Sequence, residues 1–225
     1  MGRCFPAHFL KKYKEVFRMD KKSTKNNLEY FWMYYKWLTI AGIIVVILAV
    51  YFGFSVLMKK ENALSVMLID CHTEVSQEQM EEEFMKFSGL DDKAYEVQIQ
   101  NNLMFADSDS GGYAMTSFSR FLADIGSEKL DVCGMLEEDF MKYDNSNTFM
   151  DLRDCLTEKE LLALEEKLIE TEDGRIIGIY ADSLPEIERY GCYEDQETNA
   201  GLGIIYNTQH KETAVQYLCF LAGIV

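Results

Sequence analysis

Between Leu38 and Met58 the chain runs for 21 residues without a charged side chain, centred on Ile43, Ile44, Val45, Val46, Ile47 and Leu48. An α-helix rises 1.5 Å per residue, so such a run covers roughly 30 Å, the thickness of a bilayer's hydrocarbon core. Its flanks carry the aromatics of a membrane interface: Trp32, Tyr34, Tyr35 and Trp37 on one side, Tyr51 and Phe52 near the other. Lys36, Lys59 and Lys60 mark the edges. A buried soluble helix is rarely this long without a polar face. A cleaved signal peptide has a shorter apolar run and a small-residue cleavage site after it. A lipoprotein anchor needs a cysteine just beyond the run, where Met58-Lys59-Lys60 stands. The run is therefore read as an uncleaved transmembrane helix.

Charge gives the expected orientation. Residues 1–58 hold nine Lys/Arg against three Asp/Glu, and residues 59–225 hold thirteen against thirty-five. These balances, +6 and −22, together make the net charge of −16. Basic residues gather on the cytoplasmic side of a span, so the N-terminus is expected in the cytoplasm and the C-terminal domain outside the cell membrane. The basic tail has Phe5, Phe9, Leu10, Tyr13 and Phe17 near helical spacing, which suits lying on anionic lipid; its simpler reading is a topogenic flank. Gly2 follows Met1, but Pro6 stands where a myristoylation motif wants Ser or Thr. An acidic domain of this size is repelled by nucleic acid, which excludes DNA and RNA as partners. The bilayer is the expected partner, through Leu38 to Met58, with an envelope protein or a transporter as further options.

The boundaries follow: a basic tail over 1–37, the span over 38–58, a short tether over 59–62, and an α/β domain over 63–225. About 165 residues are enough for one well-filled core. Ala63 to Asp70 is a continuous apolar run, as in a buried parallel strand. Ser76 to Phe87 reads as a helix, with Met80, Phe84 and Phe87 on one stripe, Ser76 and Gln79 as a capping box, and Gly89 as the stop. Tyr95 to Ile99 alternates like a strand nearer an edge. Asp107 to Gly112 is a polar loop, and Tyr113 to Ile125 a helix with Phe118, Phe121, Leu122 and Ile125 inward. Leu130 to Cys133, Arg175 to Tyr180 and Gly201 to Asn207 read as strands. Glu137 to Tyr143, Thr157 to Ile169 and Lys211 to Ala222 read as helices, with Thr157 and Glu160 as a second capping box. In the closing helix Ala214, Tyr217, Leu218 and Leu221 fall at i, i+3, i+4 and i+7. Strands alternating with helices predict a three-layer α/β domain with a mainly parallel sheet.

Two stretches carry a resemblance. In the first, Asp131, Val132, Phe140, Tyr143, Phe149, Asp151 and Leu152 lie on a strand, an acidic helix and an Asp-Leu turn. In the second, Asn207, His210, Ala214, Tyr217, Phe220 and Leu221 lie where a strand hands over to the last helix. Both resemble segments of type 2 periplasmic solute-binding proteins, with Tyr217 where that family has Phe. The whole layout resembles membrane-anchored proteins of Gram-positive gut bacteria whose outer domain is such a lobe. The resemblance implies one lobe of a solute-binding fold, whereas solute-binding proteins trap ligand between two.

Chemistry-bearing motifs are few. There is no Gly-x-Ser-x-Gly, Walker loop, His-Glu-x-x-His or Gly-x-Gly-x-x-Gly, and only His72 and His210 lie beyond the span. A non-enzymatic binding role, without a cofactor, is the expectation; a structural subunit of an envelope complex and an enzyme are the competing classes. Cys71, His72, Glu74 and Cys133 carry metal-ligand chemistry, but a site needs three or four ligands that converge. Five cysteines lie beyond the span: Cys71, Cys133, Cys155, Cys192 and Cys219. An odd count leaves at least one free thiol, Cys219 fits the inward stripe of the last helix, and a disulfide among the other four suits an oxidising exterior. Ligands of open α/β sheets bind beyond the carboxyl ends of the strands. That rule nominates His72, Thr73, Ser110, Gly111, Gly112, Tyr113, Gly134, Asp182 and Ser183.

Overall fold

The computed structural model describes residues 36–53, 60–105, 111–144, 147–194 and 199–224. The chain divides into two compact units, Met1–Lys59 and Lys60–Val225. In the first, Lys36–Gly53 forms a helix, α1, with a mean hydropathy of 2.1 and no part of it buried. Among the described residues it is the one helix long and apolar enough to cross a membrane. Trp32, Tyr34, Tyr35, the basic tail, and 54–58 of the expected span lie outside the described residues.

The second unit is a six-stranded mixed sheet with helices on both faces. Its strands are β1 (Glu61–Ile69), β2 (Tyr95–Leu103), β3 (Val132–Leu136), β4 (Leu168–Glu170), β5 (Ile176–Tyr180) and β6 (Ala200–Ile204). They lie in the order β2-β1-β3-β6-β5-β4. β1 pairs in parallel with both β2 and β3. β6 is antiparallel to β3 and to β5, and β4 is antiparallel to β5. Four strands thus share one direction, and β6 and β4 oppose it. The expected mainly parallel sheet is present in that sense, with antiparallel pairing confined to the β6 side.

β1 shows why the sheet is three-layered. Its side chains alternate between faces as a pleated strand requires. Leu64, Val66 and Leu68 join one core cluster, while Met67 and Ile69 join the other. The first cluster is closed by α2 (Gln77–Ser88), α6 (Pro185–Tyr190) and α7 (Lys211–Leu221) through Met80, Phe84, Ile187, Tyr190, Tyr217 and Leu218. The second is closed by α3 (Gly111–Gly126) and α4 (Glu137–Asp144) through Phe121 and Phe140. The short α5 (Glu158–Ala163) precedes β4, and its Leu161 packs against the first cluster.

Local signals set the boundaries. Ser76 accepts the Gln79 N–H at 3.3 Å and Gly89 takes a left-handed φ of 69°, so α2 begins and ends as its sequence predicts. The Gln79 side chain turns to Glu83 instead of completing the box. At α5 the box is complete: Thr157 and Glu160 cap each other. The expected helix over 157–169 is nevertheless corrected. It stops at Ala163, and β4 begins at Leu168 because Ile169 and Glu170 pair with β5 across the turn at Gly174, whose φ is 82°. Leu122, expected inward, is 48% exposed, while Phe121 carries the contact with the core. Phe87 is also partly exposed, packed at 5.2 Å on Phe220.

Helix α7 holds the expected face: Ala214, Tyr217, Leu218 and Leu221 are buried and Glu212 is exposed. Its start is fixed by the fully buried Asp131. That carboxylate accepts from the Ser65 N–H at 2.7 Å and the Thr208 hydroxyl at 2.5 Å, and meets His210 Nδ1 at 3.2 Å. A carboxylate beside a helix N-terminus is favoured by the helix dipole. Asp131 and His210 therefore form one polar knot joining β1, β3 and α7.

Three glycines shape the other face. At Gly178, Gly201 and Gly203 a Cβ would fall within 3.0 Å of the Phe140 ring. Their absent side chains let Phe140 lie on β5 and β6, stacked on Phe149 at 4.0 Å between centroids.

Candidate functional site

Because β1, β2, β3 and β5 share a direction, their carboxyl ends meet along one edge of the sheet. Helix α6 and the residues after it cross part of that edge. The Thr73 hydroxyl donates to the Tyr190 carbonyl and accepts the Val75 N–H at 3.1 Å. Gly191 caps α6 with a φ of 69°. Tyr193, at φ 67°, then turns its ring inward, leaving its hydroxyl 3.0 Å from where a Gly134 Cβ would stand.

What stays open is a cleft of about 880 Å³ at the ends of β1 and β2. One wall is Cys71 to Val75, the second is Asn101, Asn102 and Met104, and the third is Glu188 to Gly191 with Glu194. Among the described residues lining the cleft, Arg189 is the one Arg or Lys, and it is already engaged: its guanidinium pairs with Glu83 and Glu186. That guanidinium holds the Glu83 carboxyl down to about 2, and Tyr190, which donates to Glu83 at 2.8 Å, is pushed up mainly by burial. With Arg189 neutralised, Glu74, Glu188 and Glu194 leave the cleft acidic.

The nominated residues separate. His72 and Thr73 line the cleft. Tyr113 stands beside it, its hydroxyl donating to the Asn102 carbonyl at 2.5 Å. Gly111 and Gly112 begin α3, and Ser110 lies outside the described residues. Gly134 lies buried inside β3, beneath Leu68, Leu202 and Tyr193. Asp182 and Ser183 follow β5, three strand spacings from β1, roughly 14 Å along the edge. Sequence reasoning missed Asn101, Asn102 and the wall from Glu188 to Glu194. The polar pair ending an otherwise alternating strand was a signal for the first two.

Cys71 belongs to the cluster on one face of the sheet and Cys133 to the cluster on the other. The thiol beside Cys71 is that of Cys192, with 2.7 Å between the sulfurs. Among the described residues no three His, Cys, Asp or Glu side chains converge as a metal site. The chain matches no protein-family model, no curated protein and no solved structure.

Proposed function

We propose that the chain is a single-pass membrane protein whose C-terminal domain, outside the cytoplasm, binds a small polar solute that is neutral or positively charged. The domain is read as one lobe of a solute-binding fold, and the single observation behind the ligand class is the acidic cleft at the ends of β1 and β2. Asn101 and Asn102 offer amides that both donate and accept. Glu74 and Glu194 favour cations, and Arg189 is held by Glu83 and Glu186. A phosphate or carboxylate ligand would meet uncompensated negative charge there.

The test is calorimetric titration of the full chain in detergent with amines, amino acids, sugars and inorganic phosphate. Binding of an amine or a neutral polar compound, weakened about tenfold or more by Glu74→Gln with Glu194→Gln, supports the reading. Binding of phosphate alone, or binding indifferent to both changes, overturns it. Topology is tested by a reporter fused after Val225, expected to be active only outside the cytoplasm. A second reading, an accessory subunit of an envelope complex, is favoured by Met115 and Leu122, large apolar side chains exposed seven residues apart on α3.

A further inference from the structure

The Sγ atoms of Cys71 and Cys192 stand 2.7 Å apart. Non-bonded carbon atoms sit best at about 3.5–4.0 Å, and sulfur is larger, whereas a disulfide bond is about 2.05 Å. Backbone structure brings the two thiols together from both sides. Cys71 follows Asp70, whose N–H donates to the Leu103 carbonyl at 2.8 Å and whose φ is 56°. Cys192 follows the left-handed cap of α6, its N–H donating to the Ile187 carbonyl at 3.2 Å. Both side chains lie in the same core cluster, at 6% and 3% exposure. The other three beyond the span stand elsewhere: Cys133 on the opposite face, Cys155 bonded to the carbonyls of Asp151 and Leu152, and Cys219 against Glu160.

We propose that Cys71 and Cys192 form a disulfide that ties the end of β1 to the segment after α6 and so fixes two walls of the cleft at a set separation. The pairing rests on geometry alone; its closure in the cell rests also on the reading that residues 60–225 face an oxidising exterior. The oxidant is a disulfide, small or on a protein oxidoreductase. One cysteine thiolate attacks it, forming a mixed disulfide and releasing the first oxidant thiolate. The second cysteine thiolate then attacks the protein sulfur of that mixed disulfide. The Cys71–Cys192 bond forms, the second oxidant thiolate leaves, and the two protons given up by the cysteines end on the two oxidant thiols. Cys71 lines the cleft and is the thiol an oxidant reaches first. In the folded dithiol, the contact with Cys192 and burial raise the Cys71 thiol far above its ordinary range, so the bond closes most readily while the chain is still folding.

The experiment is peptide mapping of the full chain, isolated from membranes with free thiols blocked at lysis. The expected result is one cross-linked pair, Cys71 with Cys192, and blocked Cys133, Cys155 and Cys219. If that pair is instead found blocked, a second preparation with its thiols left free is incubated at pH 9 with oxidised glutathione in moderate urea. Selective closure of Cys71 with Cys192 upholds the pairing and counts against the exterior location. Failure to close, or closure of another pair, overturns the proposal. Reduction should lower the urea midpoint of the parent and leave that of Cys71→Ser/Cys192→Ser unchanged. A parent midpoint indifferent to reduction also counts against the bond.

Discussion

Replacing Gly203 by Ala tests how closely the sheet is packed on its second face. Gly203 lies in β6, between β3 and β5, opposite Cys133. A Cβ there would meet the Ile177 carbonyl oxygen at 2.7 Å, Phe149 Cδ1 at 2.7 Å and Phe140 Cζ at 2.9 Å. The oxygen belongs to the β5 backbone, whose pairing with β6 at Ile179 and Leu202 resists a shift. The rings are buried and stacked, so neither has free space to enter. Overpacking of a filled core costs about 1–3 kcal/mol, and a backbone clash places this site at the upper end. Alanine returns about 0.5–1 kcal/mol because it restricts the unfolded chain more than glycine does. The net loss is about 2 kcal/mol, a large part of the 5–15 kcal/mol typical of a domain and about 4–8 °C in Tm at this size. Gly112→Ala is the control: nothing lies within 4 Å of its Cβ position in the first turn of α3, so it should be neutral or slightly stabilising. Near-UV circular dichroism during thermal melting of the full chain reads both. Equal midpoints for Gly203→Ala and the parent would refute the close packing of Phe140 on glycine.

Leu218→Ala in α7 should cost about 2–5 kcal/mol in urea melts, while the exposed Glu212→Ala leaves the midpoint in place. Arg189→Gln should reduce acid resistance. The Glu83 carboxyl, held at about 2, contributes stability that is full above the ordinary carboxylate range and lost as pH falls toward 2. Because the pair is half exposed, the difference should stay below about 1 kcal/mol, vanish in high salt, and be seen as converging melts of parent and variant near pH 2. Placing Arg at both Val45 and Val46 should weaken membrane insertion by several kcal/mol, read by carbonate extraction; unchanged retention would show that α1 is not the anchor.

The features legible in the sequence are those whose cause is local. The apolar run of β1, the caps of α2 and the buried stripe of α7 each depend on residues within a few positions of one another. The hairpin of β4 and β5 was hidden because Glu158 to Lys167 has the composition of a helix, and only pairing with Ile176 to Ile179 draws Leu168 to Glu170 into the sheet. Strand direction is not written locally either: β6 is as apolar as β1 and runs the other way. Half of the cleft was legible for the same reason. His72 and Thr73 follow from the end of a recognisable strand, but their opposite wall is supplied 117 positions later, by Tyr190 and its neighbours. The Cys71–Cys192 contact spans 121 positions, and five cysteines gave no basis for choosing it.

The segment after α6 serves the core, the cleft and the thiol pair at once, so a change that touches it confounds stability with binding unless the altered atom has one role. The Tyr193 hydroxyl is such an atom. It is buried, and among the described residues it has no hydrogen-bond partner. Its oxygen lies over Gly134, and the side chain belongs to the same core cluster as Leu68 and Leu202. Burying a hydroxyl without a partner costs about 1–3 kcal/mol, so removing it relieves a penalty. The gain is offset in part by the contacts the oxygen leaves behind. Tyr193→Phe should therefore melt at or slightly above the parent's midpoint. Tyr193→Ala should lose about 3–5 kcal/mol, because it empties the space the ring fills. If Tyr193→Phe instead loses more than about 1 kcal/mol, the hydroxyl has a partner, and an ordered water between β1 and β3 becomes the explanation to test. If it is neutral, the same variant keeps the cleft walls in place, and solute binding should be unchanged because Tyr193 does not line the cleft.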